Sequence, residues 1–109
     1  MNWKVIETLG YAYYMNKGYR VLIPLINNSF YDFVAEKENK FIRVNVKAAG
    51  LKDKKKPNSW CISRSKQQEN MQVDVFLVWL PLKSCFVELD GTFFDAVKSK
   101  SRLIPKEKL

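Results

Sequence analysis

Apolar and polar positions recur along this chain with two different periods, and the change from one to the other divides it into elements. Between residues 2 and 17, apolar side chains fall at Val5, Ile6, Leu9, Ala12 and Tyr13, close to helical spacing, and Lys17-Gly18 supplies a stop. From there the period shortens. Tyr19 to Leu25 reads as a strand with Pro24 near its end. Two β-branched and aromatic runs follow, at about 30–36 and 40–47, and read as a β-hairpin closed about Glu38-Asn39. Residues 48–58 form a basic, turn-rich loop, expected to be mobile unless a ligand holds it.

Trp60 to Ser63 reads as a short strand, and Lys66 to Asn70 as a polar turn or one helical turn. Val73 to Leu80 is an apolar run of strand length but for Asp74, the pattern of a central strand covered on both faces. Pro81-Leu82-Lys83-Ser84 turns the chain into a strand over Cys85 to Leu89. Asp90-Gly91-Thr92 then leads into a short helix near Phe93 to Lys98. The tail from Ser99 to Leu109 is basic and frays unless Leu103-Ile104 docks. Helix, three strands, loop, two or three strands and helix add up to an α/β or α+β sandwich around a mixed sheet.

Composition narrows the function. The 109 residues are expected to form one domain, and 47% hydrophobic content suffices for a core without disulfides. Nineteen Lys and Arg stand against eleven Asp and Glu, a net charge of +8, so polyanions are the natural partners. Ribosomal proteins, nucleases and anionic-membrane binders share that imbalance. The absence of histidine excludes a zinc finger of the Cys/His kind and any His-based triad. Cys61 and Cys85 stand apart, as in a reducing compartment. Residues 1–17 carry no signal-peptide pattern, and Val75 to Leu82 is too short to span a bilayer. A soluble, intracellular protein with no membrane partner is expected.

The hairpin carries the chemistry. Strand alternation puts Phe41, Arg43, Asn45 and Lys47 on one face and Ile42, Val44 and Val46 on the other. A closure symmetric about Glu38-Asn39 sets Asp32 opposite Asn45, roughly 5 Å away, with Lys47 one side-chain repeat further, about 6 to 7 Å. A carboxylate, an amide and an ammonium on one face are suited to holding a metal and a phosphate. Mg²⁺ prefers oxygen ligands, which Asp32 and the Val46 carbonyl would provide, and a lysine beside it can orient water or stabilise charge on phosphorus.

At this point the pattern resembles the PD-(D/E)XK nuclease superfamily, whose signature is an Asp on one strand and acid-X-Lys on the next. Here it stands as Tyr31-Asp32, then Asn45-Val46-Lys47. The wording Gly18-Tyr19-Arg20-Val21, Tyr31-Asp32-Phe33-Val34 and Val44-Asn45-Val46-Lys47 is most similar to the group I intron-associated homing endonucleases of cyanobacteria and their phages, and next to archaeal Holliday-junction resolvases. The resemblance covers about residues 5–47. It implies an α/β fold with a mixed sheet flanked by helices, and an Mg²⁺-dependent endonuclease, Mn²⁺ being able to substitute. The substrate would be double-stranded DNA, cut by a homodimer or homotetramer in the cytoplasm of a prokaryotic or phage-infected cell. Glu7, eleven residues before Gly18, takes the place of the family's helical glutamate. The resemblance then implies Glu7 and Asp32 as metal ligands assisted by the Val46 carbonyl, Asn45 as an auxiliary ligand, and Lys47 as the group acting on water or the transition state. Asn45 departs from the signature by replacing the acid.

Each residue also has a plainer reading. Asp32 could be a solvated polar residue, Lys47 a strand terminus, and Glu7 a partner of Lys4. Arg43 could bind phosphate or form a cross-strand salt bridge. Lys52, Lys54, Lys55 and Lys56, then Arg64, Lys66 and Gln67, are the candidates for DNA contact, and phosphate contacts would make affinity fall steeply with salt. Two other readings compete with the nuclease: a DNA-binding module that lost catalysis with the acid at Asn45, and a basic structural protein of a ribosome or virion.

Overall fold

Helix α1 spans Trp3–Asn16 in the computed structural model, which describes residues 1–25, 30–64, 73–95 and 98–109. The Asn2 side chain caps its start by accepting from the Val5 amide at 3.2 Å. Its end is a Schellman turn, with Gly18 N–H donating to Met15 O at 3.0 Å and Tyr19 N–H to Tyr14 O at 3.1 Å. Gly18 has φ of 88°, the left-handed conformation such a turn requires. The buried stripe is Ile6, Gly10 and Tyr14, whereas Val5 and Ala12, expected to face the core, are exposed. Gly10 explains the rotation. A Cβ there would lie 3.3 Å from Val46 and 3.4 Å from Leu77, so glycine lets the helix settle close onto the sheet.

The main sheet contains β1 (Arg20–Leu22), β2 (Phe33–Lys37), β3 (Lys40–Ala48), β6 (Val75–Leu80) and β7 (Cys85–Asp90), in spatial order β1-β2-β3-β6-β7. The hairpin closes as expected. Glu38 and Asn39 both take positive φ, 51° and 63°, in a two-residue turn between paired Lys37 and Lys40. β3 and β6 run parallel and the other pairs antiparallel, so the sheet is mixed. The apolar run of β6 lies between β3 and β7 with its last five residues buried, as its pattern predicts.

A second, three-stranded sheet comprises β4 (Gly50–Leu51), β5 (Trp60–Ser63) and β8 (Ser101–Leu103), in order β4-β5-β8. Each face of the main sheet has its own core. On the helix side Phe33, Ala35, Val44, Val46, Leu77 and Trp79 meet Ile6 and Tyr14. On the other side Phe76, Val78, Leu80 and Leu89 meet Trp60, Ile62 and Ile104 from the small sheet and its flank. The main sheet is therefore flanked by one helix and one small sheet.

Two expectations change, and of the two readings of the tail the one in which Leu103-Ile104 docks holds. The tail does not fray: β8 pairs with β5, and Ile104, 3% exposed, donates its amide to Trp60 O at 2.8 Å. The expected helix at 93–98 is a series of turns over 91–95, with residues 96–97 outside the described set. The loop at 48–58 begins as strand, and Ser59 closes it by donating to the carbonyls of Asp53 and Lys56. The turn anticipated at 66–70 lies outside the described residues.

Candidate active site

β3 is nine residues long and β2 five, so the C-terminal end of β3 outruns its antiparallel partner. Where β2 departs, Asp32 takes over. Its amide donates to Val44 O at 2.8 Å, and its Oδ2 accepts the Val46 amide at 2.6 Å. A residue's N–H and C=O project to the same side of a strand, so the Val46 carbonyl opens into the same gap as the Asp32 carboxylate. Asn45 lies beside them, with Nδ2 donating to Phe30 O at 3.2 Å, which leaves Oδ1 as its ligand end.

Lys47 is held by the small sheet. Its ammonium donates to Ser63 O at 2.8 Å and lies 5.8 Å from the centre of the Phe76 ring and 6.0 Å from that of Phe94. Burial in this setting pushes its pKa down to about 8, against the opposing pull of Asp32. Burial likewise raises the Asp32 carboxyl above its ordinary range. The Val46 amide pulls it back, Glu7 pushes it further up, and Lys47 lowers it. Glu7 and Lys47 thus act on Asp32 with opposite sign. Glu7, with a side chain 17% exposed, accepts a 2.7 Å hydrogen bond from the Tyr11 hydroxyl, while the Lys4 ammonium is 3.9 Å from the same oxygen. The Lys4 pairing is the looser of the two contacts.

An open cleft of about 450 Å³ is lined by Asp32, Asn45, Val46 and Lys47 on one wall and by Gly50, Leu51, Cys61 and Ser63 on the other, with Trp3 at its rim; Glu7 is not among its lining residues. Among the described residues no three acidic or thiol side chains cluster as a metal site. What the cleft lining offers a divalent cation is the Asp32 carboxylate, the Asn45 amide oxygen and the Val46 backbone carbonyl, with the Glu7 carboxylate outside the lining but felt by Asp32. All are hard oxygen donors, and the like-charge strain between Glu7 and Asp32 is of the kind a cation relieves.

The sequence profile of the PD-(D/E)XK endonuclease family matches residues 7–100. The chain belongs to that family. The residues on which the resemblance rested, Asp32, Asn45 and Lys47, line the cleft, whereas Glu7 on α1 is not in its lining and acts on Asp32 electrostatically. The solved structure of a bacterial homing endonuclease, I-Ssp6803I, shares the fold with a TM-score of 0.77 at 16% identity, covering 94% of this chain and 72% of that one. A search of curated proteins finds no match.

The candidate DNA contacts are placed unequally. Arg43 is committed to Asp74 through a bidentate pair, Nε to Oδ2 at 3.0 Å and Nη2 to Oδ1 at 3.1 Å, the salt bridge weighed as its plainer role. Arg64 donates to Phe94 O and stacks on that ring. Lys52, Lys54, Lys55 and Lys56 are exposed, outside the cleft lining. Lys66 and Gln67 lie outside the described residues. Sequence reasoning missed Tyr11, although its spacing of four from Glu7 on a helix was a usable signal. It also missed Trp3 and Ser63, which only the packing of α1 and of the small sheet against the main sheet brings to the cleft.

Proposed function

We propose that this nuclease is a divalent-metal-dependent DNA endonuclease, using Mg²⁺ and tolerating Mn²⁺, that hydrolyses phosphodiester bonds at specific sites in the manner of a homing enzyme. The observation that carries the reading is the junction of Asp32, the Val46 carbonyl and Lys47 in one cleft at the splayed end of the hairpin. Glu7 and Asp32 would hold the cation, with the Val46 carbonyl and Asn45 Oδ1 assisting. When bound, it would supply Lewis-acid polarisation of the phosphate and a more acidic water.

The chain's own groups do the rest. Lys47, fixed by Ser63, presents an ammonium where negative charge grows on the phosphate oxygens, and keeps its proton at neutral pH because its pKa stays near 8. Tyr11 donates to Glu7 and fixes its carboxylate. Asp32, tied to the Val46 amide, cannot swing away. Site specificity and the intron-homing context rest on likeness to the homing endonuclease structure. Cutting both strands of a duplex favours a homodimer or homotetramer.

Asn45 favours a second reading, a DNA-binding module that has lost cleavage, because an amide ligates Mg²⁺ more weakly than an acid. Supercoiled-plasmid nicking separates the two. The native chain should nick in Mg²⁺ or Mn²⁺, stop in EDTA, and lose activity as Lys47→Ala. Pure native protein that leaves plasmid, linear and branched DNA intact in both metals would overturn the enzyme reading.

A further inference from the structure

The net positive charge of this chain is concentrated in one layer of the fold. Residues 50–64 and 98–109, which build β4, β5, β8 and their turns, carry ten Lys and Arg against two acids, a net +8 equal to that of the whole chain. The remaining 82 residues balance nine basic against nine acidic side chains. Within the charged layer, Arg64 and Arg102 turn inward and brace the carbonyls and rings of Phe94 and Phe93. The other eight are lysines, all exposed: Lys52, Lys54, Lys55, Lys56, Lys98, Lys100, Lys106 and Lys108. None of them forms an ion pair among the described residues, and Asp53 is spent on the Lys55 amide at 3.0 Å. So many unneutralised lysines on one layer repel one another, and a polyanion relieves that.

The layer also has a shaped receptor. Lys55 and Lys56 meet Lys106, from the 3-10 turn Lys106–Lys108, around a groove of about 430 Å³ floored by Pro57, Ser59 and Leu103. β5 connects it to the cleft: Ser59, just before the strand, lines the groove, and Ser63, at its end, holds Lys47. Four strand steps are about 13 Å, or roughly four base pairs along a duplex.

We propose that the groove of Lys55, Lys56 and Lys106 docks the sugar-phosphate backbone of duplex DNA about four base pairs from the bond presented to Asp32 and Lys47. The C-terminal turn is then part of the DNA-binding face. This rests on the nuclease reading for its substrate but not for its test. Fluorescence anisotropy of a labelled duplex, titrated in EDTA over a range of salt, compares two charge-matched double variants. Lys56→Ala/Lys106→Ala should lose about tenfold in affinity or more and flatten the salt slope by about 2. Lys37→Ala/Lys40→Ala, at the far end of β3, should leave the slope at its native value. Equal losses in both variants, or none in the first, overturn the proposal. Cleavage supplies the second readout: the groove variant should raise KM with kcat unchanged at saturating DNA. Groove-dependent binding without cleavage by the native chain would sink the nuclease reading and leave the groove standing. Cleavage with groove-independent binding would do the reverse.

Discussion

Asp32 Oδ2 accepts the Val46 amide at 2.6 Å, across the point where β2 leaves β3. The bond replaces a ladder contact that the shorter strand no longer supplies, so the carboxylate is part of the sheet's own hydrogen bonding. In the proposed function it is also the group that engages the cation. Structure and function therefore share one side chain, and substitutions can separate them.

Asp32→Asn keeps an acceptor for the Val46 amide and removes the charge. Nicking should fall by about two orders of magnitude or more, while the melting temperature in EDTA stays level or rises, since repulsion from Glu7 is gone. Asp32→Ala leaves the amide unpaired and should cost about 1–3 kcal/mol. Equal thermal stability for Asn and Ala variants would show that the bond contributes nothing to the fold.

Lys47 is held at a cost in stability. Its pKa in the fold, about 8, lies below the ordinary 10.5, so between those values the unfolded chain binds more protons and stability rises with pH. Below pH 8 the full penalty of burying the ammonium remains. Lys47→Met should melt a few degrees higher than the native chain at pH 7 in EDTA, roughly as about 1 kcal/mol requires, and should not cleave. The gap should narrow as pH approaches 10.5. A lower melting temperature for the methionine variant at pH 7 would contradict this.

Asn45→Asp restores the acid of the family signature. It should lower the metal concentration for half-maximal nicking by about tenfold, since ligand charge tunes affinity. Without metal it should be less stable, because a carboxylate replaces the amide that donates to Phe30 O. Unchanged metal dependence would remove Asn45 from the ligand set.

Glu88 belongs to a separate clasp on the helix side of the sheet. It accepts from Tyr14 at 2.7 Å, Tyr13 at 2.9 Å and Lys17 at 3.2 Å. Burial raises its carboxyl, but those three partners outweigh burial and hold it below the usual 4.5. Its contribution is present above pH 4.5 and is lost as pH falls through the lower folded value. Glu88→Gln should cost about 1 kcal/mol at pH 7, with the difference shrinking in acid and nicking unaffected. A cleavage defect would tie the clasp to the site.

Much of this was local and hence legible. The turn at Glu38-Asn39 fixes the hairpin register, and register alone sets Asp32 beside Asn45, because strand pairing is a matter of counting residues. The unbroken apolar run of β6 announced a strand covered on both faces, and Gly18 marked the helix end. The sequence also carried the signature that assigns the family.

Tertiary structure decided what counting cannot reach. Which face α1 buries depended on Gly10 approaching Val46 and Leu77, and with it whether Glu7 could act on Asp32. The tail became an ordered strand because β5 offered it an edge and the core offered Ile104 a place. Ser63 became the anchor of Lys47 only when the small sheet folded over the large one, and Lys106 the neighbour of Lys55 and Lys56 only when β8 paired with β5. Periodicity along a chain reports which side of an element is apolar. It carries no information about which distant element will cover that side, and in this protein that choice built both the far wall of the cleft and the basic groove beside it.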